Sequence, residues 1–236
     1  MVRVVFDECH KDSLKIKGTG KSGLAILANS LGNNGFSVSA TTQPLETAIK
    51  NADVLVISFP CNNFNAGEIA TIKTFVKNGG GLLVLGEWSS TDIAATDAII
   101  KLANEFGVRF NTDRIITSSD ISGGSKTDYI KVDKFTNHPI TKNLRMIACA
   151  AACSLKMPDT QILAWTPELS FGDLNLNLEW DMSEEVGRLG VACFLESGKG
   201  RIVAVGDTSF ATNEHIETGD NKKFLVNIMQ WLGKKI

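Results

Sequence analysis

Polar and acidic side chains follow four apolar segments of the sequence, at the points where those segments end. The four polar runs are Asp7-Glu8-Cys9-His10, Pro60-Cys61-Asn62-Asn63, Gly86-Glu87-Trp88-Ser89 and Gly206-Asp207-Thr208-Ser209. Carboxylates that converge with a histidine can bind a divalent cation, or can position and protonate a hydroxylated ligand. In the alternative interpretation, these acids only bind loop amides or cap neighbouring helices, as polar side chains in loops often do.

If the four runs meet in the fold, they form one binding site. The predicted ligand-binding residues are Asp7, Glu8, His10, Cys61, Asn62, Glu87, Trp88, Asp207 and Ser209. No residue is assigned as a metal ligand and no cofactor is expected, with a divalent cation at the carboxylates as the open alternative.

The catalytic candidates are Cys61, His10 and His215. Cys61 follows Pro60 at the end of an apolar segment and could pair with either histidine. A thiol beside a histidine can act as a nucleophile, because the histidine favours the thiolate. The simpler interpretation is an ordinary free thiol at the start of a loop.

The elements that must position these residues alternate along the chain between strand-like and helix-like patterns. The strand-like segments are Val2–Phe6, Phe36–Ala40, Asp53–Phe59, Leu82–Leu85 and Gly200–Val205, and the helix-like ones are Leu24–Leu31, Pro44–Lys50, Asn65–Asn78, Ile93–Phe106 and Asn221–Leu232. Short connections between such elements are typical of parallel βαβ units, and apolar runs without alternation indicate strands covered on both faces. In such α/β sheets, ligands bind beyond the carboxyl ends of the strands, where the four polar runs would lie.

The middle of the chain, from about residue 111 to 195, is less regular. It contains a polar loop at 118–126, and short apolar pieces over 144–191 that suggest antiparallel edge strands. No linker or internal repeat is visible. We therefore predict a single domain over residues 1–236, with an irregular insertion at about 111–195.

Composition and charge exclude several classes of protein. The formal net charge is −2, with 24 basic against 26 acidic residues, so no basic face for nucleic acid is expected. No apolar run reaches the roughly 18 residues of a membrane span, and no signal peptide is recognised. The five cysteines contain no C-x-x-C pair, which favours free thiols in a reducing compartment, most simply the cytoplasm, over a zinc site.

Several of these segments, in their order along the chain, resemble the class I glutamine amidotransferase-like superfamily. They are Phe6–His10, Asp53–Pro60, Glu68–Glu87, His138–Thr141, Gly198–Ser209 and Asp220–Trp231. Within that superfamily they are most similar to the non-catalytic branch of GIFT domains and of gliding-motility and ABC-transport-associated proteins. The resemblance implies a flavodoxin-like, doubly wound, mainly parallel sheet with helices on both faces.

The resemblance also locates a reaction centre from which the nucleophile is missing. Amidotransferases of this superfamily carry a nucleophilic cysteine at the strand end that here reads Gly86-Glu87-Trp88, and a late His-x-Glu pair activates it. His215-Ile216-Glu217 has that spelling but stands about nine residues beyond its strand, so we interpret it as coincidence. The implied protein is non-catalytic.

Three functions therefore remain in competition. The first is a non-catalytic amidotransferase-like domain that binds a small ligand or a protein partner at the carboxyl edge of its sheet. The second is a hydrolase that uses Cys61 or an acid–histidine pair at the same edge. The third is a structural module that forms a homo-oligomer. In each of the first two, Glu87 is expected to face the cleft close to Asp7, Glu8 or Asp207, with its pKa raised by desolvation.

Overall fold

A computed structural model describes residues 1–10, 14–88, 93–117 and 129–236 of the protein. Its strands are β1 (Val2–Asp7), β2 (Phe36–Thr41), β3 (Val54–Ser58), β4 (Gly81–Leu85), β5 (Arg114–Thr117), β6 (Tyr129–Val132), β7 (Lys134–Phe135), β8 (Ile147–Ala150), β9 (Ile162–Trp165), β10 (Ser170–Asp173), β11 (Gly190–Ser197) and β12 (Gly200–Val205). Its α-helices are α1 (Ala25–Asn33), α2 (Leu45–Ala48), α3 (Ala66–Lys77), α4 (Ile93–Asn104) and α5 (Asn221–Leu232). The polar loop expected at 118–126 lies outside the described residues.

The main sheet has eight strands in the order β2-β1-β3-β4-β12-β11-β9-β7. The first five strands, β2 to β12 in this order, run parallel to one another. The strands β11, β9 and β7 continue the sheet by antiparallel pairing. This confirms the predicted α/β class with a mainly parallel, flavodoxin-like sheet. It also brings the carboxyl ends of β1, β3, β4 and β12 to one edge.

Helices cover both faces of the sheet, which explains why the central strands are continuously apolar. Leu27 of α1 and Phe224 of α5 belong to the core on one face, and Ile72 of α3 and Leu102 of α4 belong to the core on the other. All five residues of β3 and of β4 are buried. Among the described residues, no helix is both long and apolar enough to cross a membrane.

The middle of the chain forms the predicted antiparallel strands. In addition to β9 and β11 in the main sheet, β10 pairs with β5 and β6 pairs with β8 in two small antiparallel sheets. The prediction that this region is one insertion in a single domain stays a prediction.

The start of α3 is fixed by a reciprocal capping arrangement. The Asn65 side chain accepts hydrogen bonds from the backbone N–H groups of Gly67 and Glu68, at 2.8 and 3.0 Å. The Glu68 carboxylate in turn accepts from the backbone N–H of Asn65 at 2.9 Å. This capping box satisfies amides that the first turn leaves free, and it holds Glu68 near the end of β1.

Candidate functional site

A small cavity lies at the carboxyl edge of the sheet, where the ends of β3, β4 and β12 meet. Its volume is about 220 Å³. The described residues that line it are Leu14, Ser22, Phe59, Glu87, Thr208, Ser209, Thr212, Glu214 and His215. Hydroxyl groups, one buried acid and one histidine therefore face the same space.

A larger groove, of about 930 Å³, lies at the opposite edge of the sheet, beside the amino ends of β1 and β4. Glu46 and Asp53 are the acids of its lining, and Asp53 is already bound to Arg3, with 3.3 Å between Oδ2 and Nε. We place the candidate site at the smaller cavity, since α/β sheets bind ligands at the carboxyl ends of their strands and the buried acid lies there.

Glu87 is the central side chain of the cavity. It follows β4 and is only 8% exposed. Its carboxyl group accepts a hydrogen bond from the Ser209 hydroxyl at 3.2 Å and another from the Trp88 backbone N–H at 3.2 Å. The donors belong to the segments that follow β4 and β12, so these two segments hold the side chain at the edge of the sheet.

Asp207 lies beside Glu87 at the end of β12 and is fully buried. Its carboxylate accepts hydrogen bonds from the backbone N–H groups of Ala150, at 2.6 Å, and Phe210, at 3.3 Å. The preceding residue, Gly206, permits this arrangement because a Cβ there would collide with the carbonyl oxygen of Cys153. Asp207 thus ties β12 to β8 and faces no solvent.

The pKa values of the two buried acids, Glu87 and Asp207, are both raised. Burial, followed by the negative charge of Asp207, raises the pKa of Glu87 well above its ordinary value. Burial also raises the pKa of Asp207, but backbone amides from Ala150, Phe210 and Ser209 favour its ionised form. Both carboxyl groups therefore keep a proton to higher pH than exposed acids do, and the charge of Asp207 opposes ionisation of Glu87.

His215 completes the polar lining as a neutral imidazole. Its Nδ1 lies 2.9 Å from the hydroxyl of Tyr129. Burial lowers the pKa of His215, and the positive charge of Lys21 acts in the same direction against the opposing effect of Glu214. A neutral imidazole can both donate and accept a hydrogen bond.

Phe59 contributes the apolar wall and has an unusual backbone. It directly follows β3, and its φ is +53°. For a bulky side chain this left-handed conformation costs energy, and such residues cluster at functional sites. The strain turns the chain sharply at the edge of the cavity.

His10, the predicted partner of these acids, belongs to a separate cluster. Its Nδ1 lies 2.6 Å from Asp7 Oδ2, and its Nε2 lies 3.2 Å from Glu68 Oε1. All three residues are buried. Burial alone would lower the pKa of His10, but the hydrogen bonds and charges of Asp7 and Glu68 outweigh it and raise the pKa. The cluster fastens the end of β1 to the start of α3.

Glu68 was not among the site residues predicted from the sequence. The Asn65-x-x-Glu68 spacing is the signal of a capping box, and it could have placed this carboxylate at the end of α3 nearest the site. That the same carboxylate also reaches His10 depends on the tertiary fold.

Three further predicted residues lie outside the cavity. Glu8 accepts a hydrogen bond from the backbone N–H of Ile16 at 2.9 Å, and its Oε2 lies 3.7 Å from Lys15 Nζ. Trp88 packs against the core on the α4 side, with the Arg114 guanidinium 4.8 Å from its ring centre. Asn62 is exposed. Of the predicted ligand-binding residues, the structure brings Glu87, Asp207 and Ser209 together.

The geometry does not support a thiol–histidine pair with His10. Cys61 is half-buried, and its Sγ lies 3.9 Å from the Phe59 carbonyl oxygen. Both ring nitrogens of His10 face carboxylates, so neither is available as a base for this thiol. His215, the other candidate, lines the Glu87 cavity, and Cys61 is not among that cavity's described lining residues.

A divalent cation at this edge also lacks a ligand set. Within the part of the chain that the structure describes, no three or more His, Cys, Asp or Glu side chains are grouped so that they could hold a metal ion. Asp7 and Glu8 are engaged by His10 and by backbone groups, and neither is among the described residues that line the Glu87 cavity.

Solved structures with a similar fold have little sequence in common with this chain. The mmIFT52 N-terminal domain has a TM-score of 0.75 and 15% identity, over 98% of this chain and 97% of that one. The cytoplasmic protein STM1381 from Salmonella typhimurium LT2 has a TM-score of 0.64 and 15% identity, over 98% and 99%. A ThuA-like protein from Parabacteroides merdae has a TM-score of 0.58 and 12% identity, over 99% and 90%. At these identities, the similarity shows the fold alone.

The family match corrects the resemblance drawn from the sequence. Residues 17–229 match a family described as a domain of unknown function, DUF4350. The assignment to the class I glutamine amidotransferase-like superfamily and its GIFT and gliding-motility branch is therefore wrong. The segments on which this resemblance rests are strand ends and glycine turns that a doubly wound sheet requires. They therefore indicate the fold and do not identify the family. Among curated proteins, none matches the chain significantly. Because the match spans most of its length, the chain belongs to the DUF4350 family.

Proposed function

We propose that this protein binds a small, neutral, hydroxyl-bearing molecule in the cavity at the carboxyl edge of its sheet. The observation that carries the proposal is Glu87, a buried acid that faces this cavity beside Asp207. A protonated carboxyl group can donate one hydrogen bond and accept others, which suits a ligand hydroxyl.

The other groups of the lining favour the same ligand chemistry. Thr208, Ser209 and Thr212 contribute hydroxyl groups, and His215 contributes a neutral imidazole. Such groups pair with alcohol groups without requiring a charge on the ligand. Glu214 of the lining pairs with Lys21, with 2.7 Å between Oε1 and Nζ, so neither charge is free to bind an ionic ligand.

The size of the cavity limits the ligand. A volume of about 220 Å³ is below the roughly 300–1,000 Å³ of sites for drug-sized molecules. A polyol or a monosaccharide is of suitable size. Phe59 and Leu14 supply an apolar wall against which the carbon face of such a ligand can pack. The strained backbone at Phe59 further supports a functional edge.

The proposal is tested by titrating the purified protein with glycerol, myo-inositol and neutral monosaccharides, and with ethanolamine and phosphate as charged comparisons. Binding is followed by saturation-transfer NMR and calorimetry. We expect at least one neutral hydroxylated probe to bind. Glu87→Ala should weaken it by about tenfold or more, since one well-placed buried hydrogen bond accounts for about 1.4 kcal/mol.

Two variants separate the role of the proton from that of the side chain. Glu87→Gln should retain much of the binding, because the amide also donates and accepts, but its affinity should no longer fall at high pH. Glu196→Ala is the matched control, since Glu196 pairs with Arg201 beside the opposite edge of the sheet. Binding of phosphate alone, or unchanged affinity in Glu87→Ala, would contradict the proposal.

A further inference from the structure

The main sheet ends on one side at β2, and the outer side of this strand is open. Within the described residues, no further strand pairs with it beyond β1 and its side of the sheet. The carbonyl oxygen of Thr41 accepts a hydrogen bond from the backbone N–H of Glu8 at 2.8 Å, so the backbone of Thr41 faces the β1 side. Successive residues of a strand direct their backbone groups to opposite sides. The residues of β2 whose backbone groups face outward are therefore Phe36, Val38 and Ala40.

β2 has none of the features with which natural proteins usually protect an open edge. Such strands are ordinarily very short, or they carry a charged side chain, a proline or a bulge. β2 has six residues, and its sequence FSVSAT contains neither a charge nor a proline. It pairs with β1 in one register over its whole length, without a bulge. The edge therefore presents a regular row of backbone donors and acceptors to which another strand can bind.

One cation contacts the start of this strand. Lys235 Nζ lies 3.8 Å from the centre of the Phe36 ring and donates hydrogen bonds to the carbonyl oxygens of Asn34 and Gly35. These contacts lie at or before the first residue of β2, so they do not reach the middle of the edge.

The opposite edge of the sheet is protected. It is formed by β7, which has two residues, one of them the exposed Lys134. Asp133, directly before β7, lies 3.0 Å from Lys131 Nζ and 3.8 Å from Lys134 Nζ. Pairing of β2 with β7 of another copy would set a six-residue uncharged strand against this short charged one. A head-to-tail chain of sheets is therefore disfavoured, and the matching edge that this protein offers to β2 is a second β2.

The surface next to β2 is also free of charge. Residues 22–45 contain no Asp, Glu, Lys, Arg or His, although charged residues make up 21% of the chain. This range includes α1, which packs against β2 and exposes Asn29 and Asn33. Depletion of charged residues is characteristic of the centre of an interface. Such a surface does not repel a copy of itself, and it offers a strongly charged partner no complementary group.

We propose that this protein forms a twofold-symmetric dimer in which β2 pairs antiparallel with β2 of a second copy. A twofold axis beside Val38 sets Val38 opposite Val38 of the second copy, and Phe36 opposite Ala40 of the second copy. Each such pair exchanges two N–H···O=C bonds, so the outward groups of the strand are satisfied and the two sheets become one. Because the pairing uses the β2 edge of both copies, assembly stops at the dimer.

The size of the contact sets the expected strength of the dimer. Stable interfaces bury about 1,200–2,000 Å², which is more than two six-residue strands supply, so the flank of α1 contributes the remainder. We expect a dissociation constant on the order of 10⁻⁵ M. Dimer and monomer should then both be observed within an accessible range of concentration.

The test uses the full chain in analytical ultracentrifugation from about 1 to about 300 µM, with amide hydrogen exchange followed by NMR at both ends of this range. The mass should rise from the 25.5 kDa of one chain toward twice that value. Exchange at the amides of Phe36, Val38 and Ala40 should slow by about fivefold at the higher concentration, because they become bonded in the dimer. The amides of Ser37 and Ser39, which face β1, should not change and serve as the internal control.

Variants decide whether β2 is the contact. Ala40→Pro removes an outward N–H at an exposed residue and should weaken the dimer by at least about tenfold, since proline cannot donate to the strand pair. Ser39→Lys is the second variant if Ala40→Pro does not fold, because a lysine on an edge strand opposes pairing. Ser183→Lys, at an exposed serine in the loop after β10, is the matched control and should dimerise as the wild type does.

Three results would overturn the proposal. The first is a chain that remains a monomer at about 300 µM, and the second is assembly beyond the dimer at that concentration. The third is a dimer in which Ser39→Lys and Ser183→Lys have equal effects, or in which the outward amides of β2 show no added protection, since its interface would then lie elsewhere.

Discussion

Replacement of His10 with alanine is expected to destabilise the protein by about 3–5 kcal/mol, because it leaves two buried carboxylates without their cation. Asp7 and Glu68 lie on opposite sides of the ring, at 2.6 and 3.2 Å from its two nitrogens. Loss of the ring also removes its packing against Phe64, with 4.2 Å between ring centres. Chemical denaturation at pH 6 measures the effect.

A double variant tests whether uncompensated charge is the cause. His10→Ala combined with Glu68→Gln should recover part of the lost stability, since only one unpaired carboxylate then remains and glutamine retains an acceptor for Asn65. The raised pKa of His10 also gives a sign to the pH dependence. Its contribution is complete below the unfolded pKa of about 6.5 and is lost as the pH rises through the higher folded value. If the double variant is no more stable than His10→Ala, the charge argument is wrong.

Ionisation of the Glu87–Asp207 pair should make the protein less stable as the pH rises from about 4 toward 8. The folded protein holds these protons more tightly than the unfolded chain, since burial raises both pKa values and that of Asp207 to about 7. The free energy of unfolding is therefore greatest below the pKa values that these two acids have in the unfolded chain. As the pH rises above them, it falls by up to about 1.4 kcal/mol per pH unit for each proton that the folded protein binds and the unfolded chain does not.

Glu87→Gln is the informative variant for this dependence. Its side chain cannot ionise, so the unfolding free energy should fall less steeply between pH 4 and 8, and the variant should be more stable than the wild type at pH 8. Glu196→Gln, which changes an exposed acid, should retain the wild-type slope. A Glu87→Gln profile parallel to that of the wild type would contradict the burial of an ionisable pair.

The position of Glu87 could be inferred from the sequence, because it depends only on the order and direction of strands. The apolar runs that became β1, β3, β4 and β12 fixed which residues follow each strand, and parallel pairing brought those ends to one edge. The raised pKa of Glu87 followed from the same reasoning. A two-residue error in a strand boundary would not have moved Glu87 away from this edge.

Side-chain directions within the loops could not be inferred in this way. Glu87 and Trp88 are adjacent, yet the first faces the cavity and the second packs toward α4. His10 was expected among the cavity acids, but Glu68, far away in sequence, provides the second carboxylate that holds it elsewhere. Such pairings depend on how a helix docks on the sheet.

The pKa of the Glu87 carboxyl group in the folded protein decides whether the cavity presents a neutral acid. Carboxyl-carbon NMR titration, with the signal assigned by its absence in Glu87→Gln, reads this protonation without requiring a known ligand. We expect Glu87 to titrate well above the ordinary value of about 4.3 and to carry its proton still near neutral pH. Titration of Glu87 in the ordinary glutamate range would show an ionised carboxylate at the cavity, and the account of a neutral hydrogen-bonding site would be wrong.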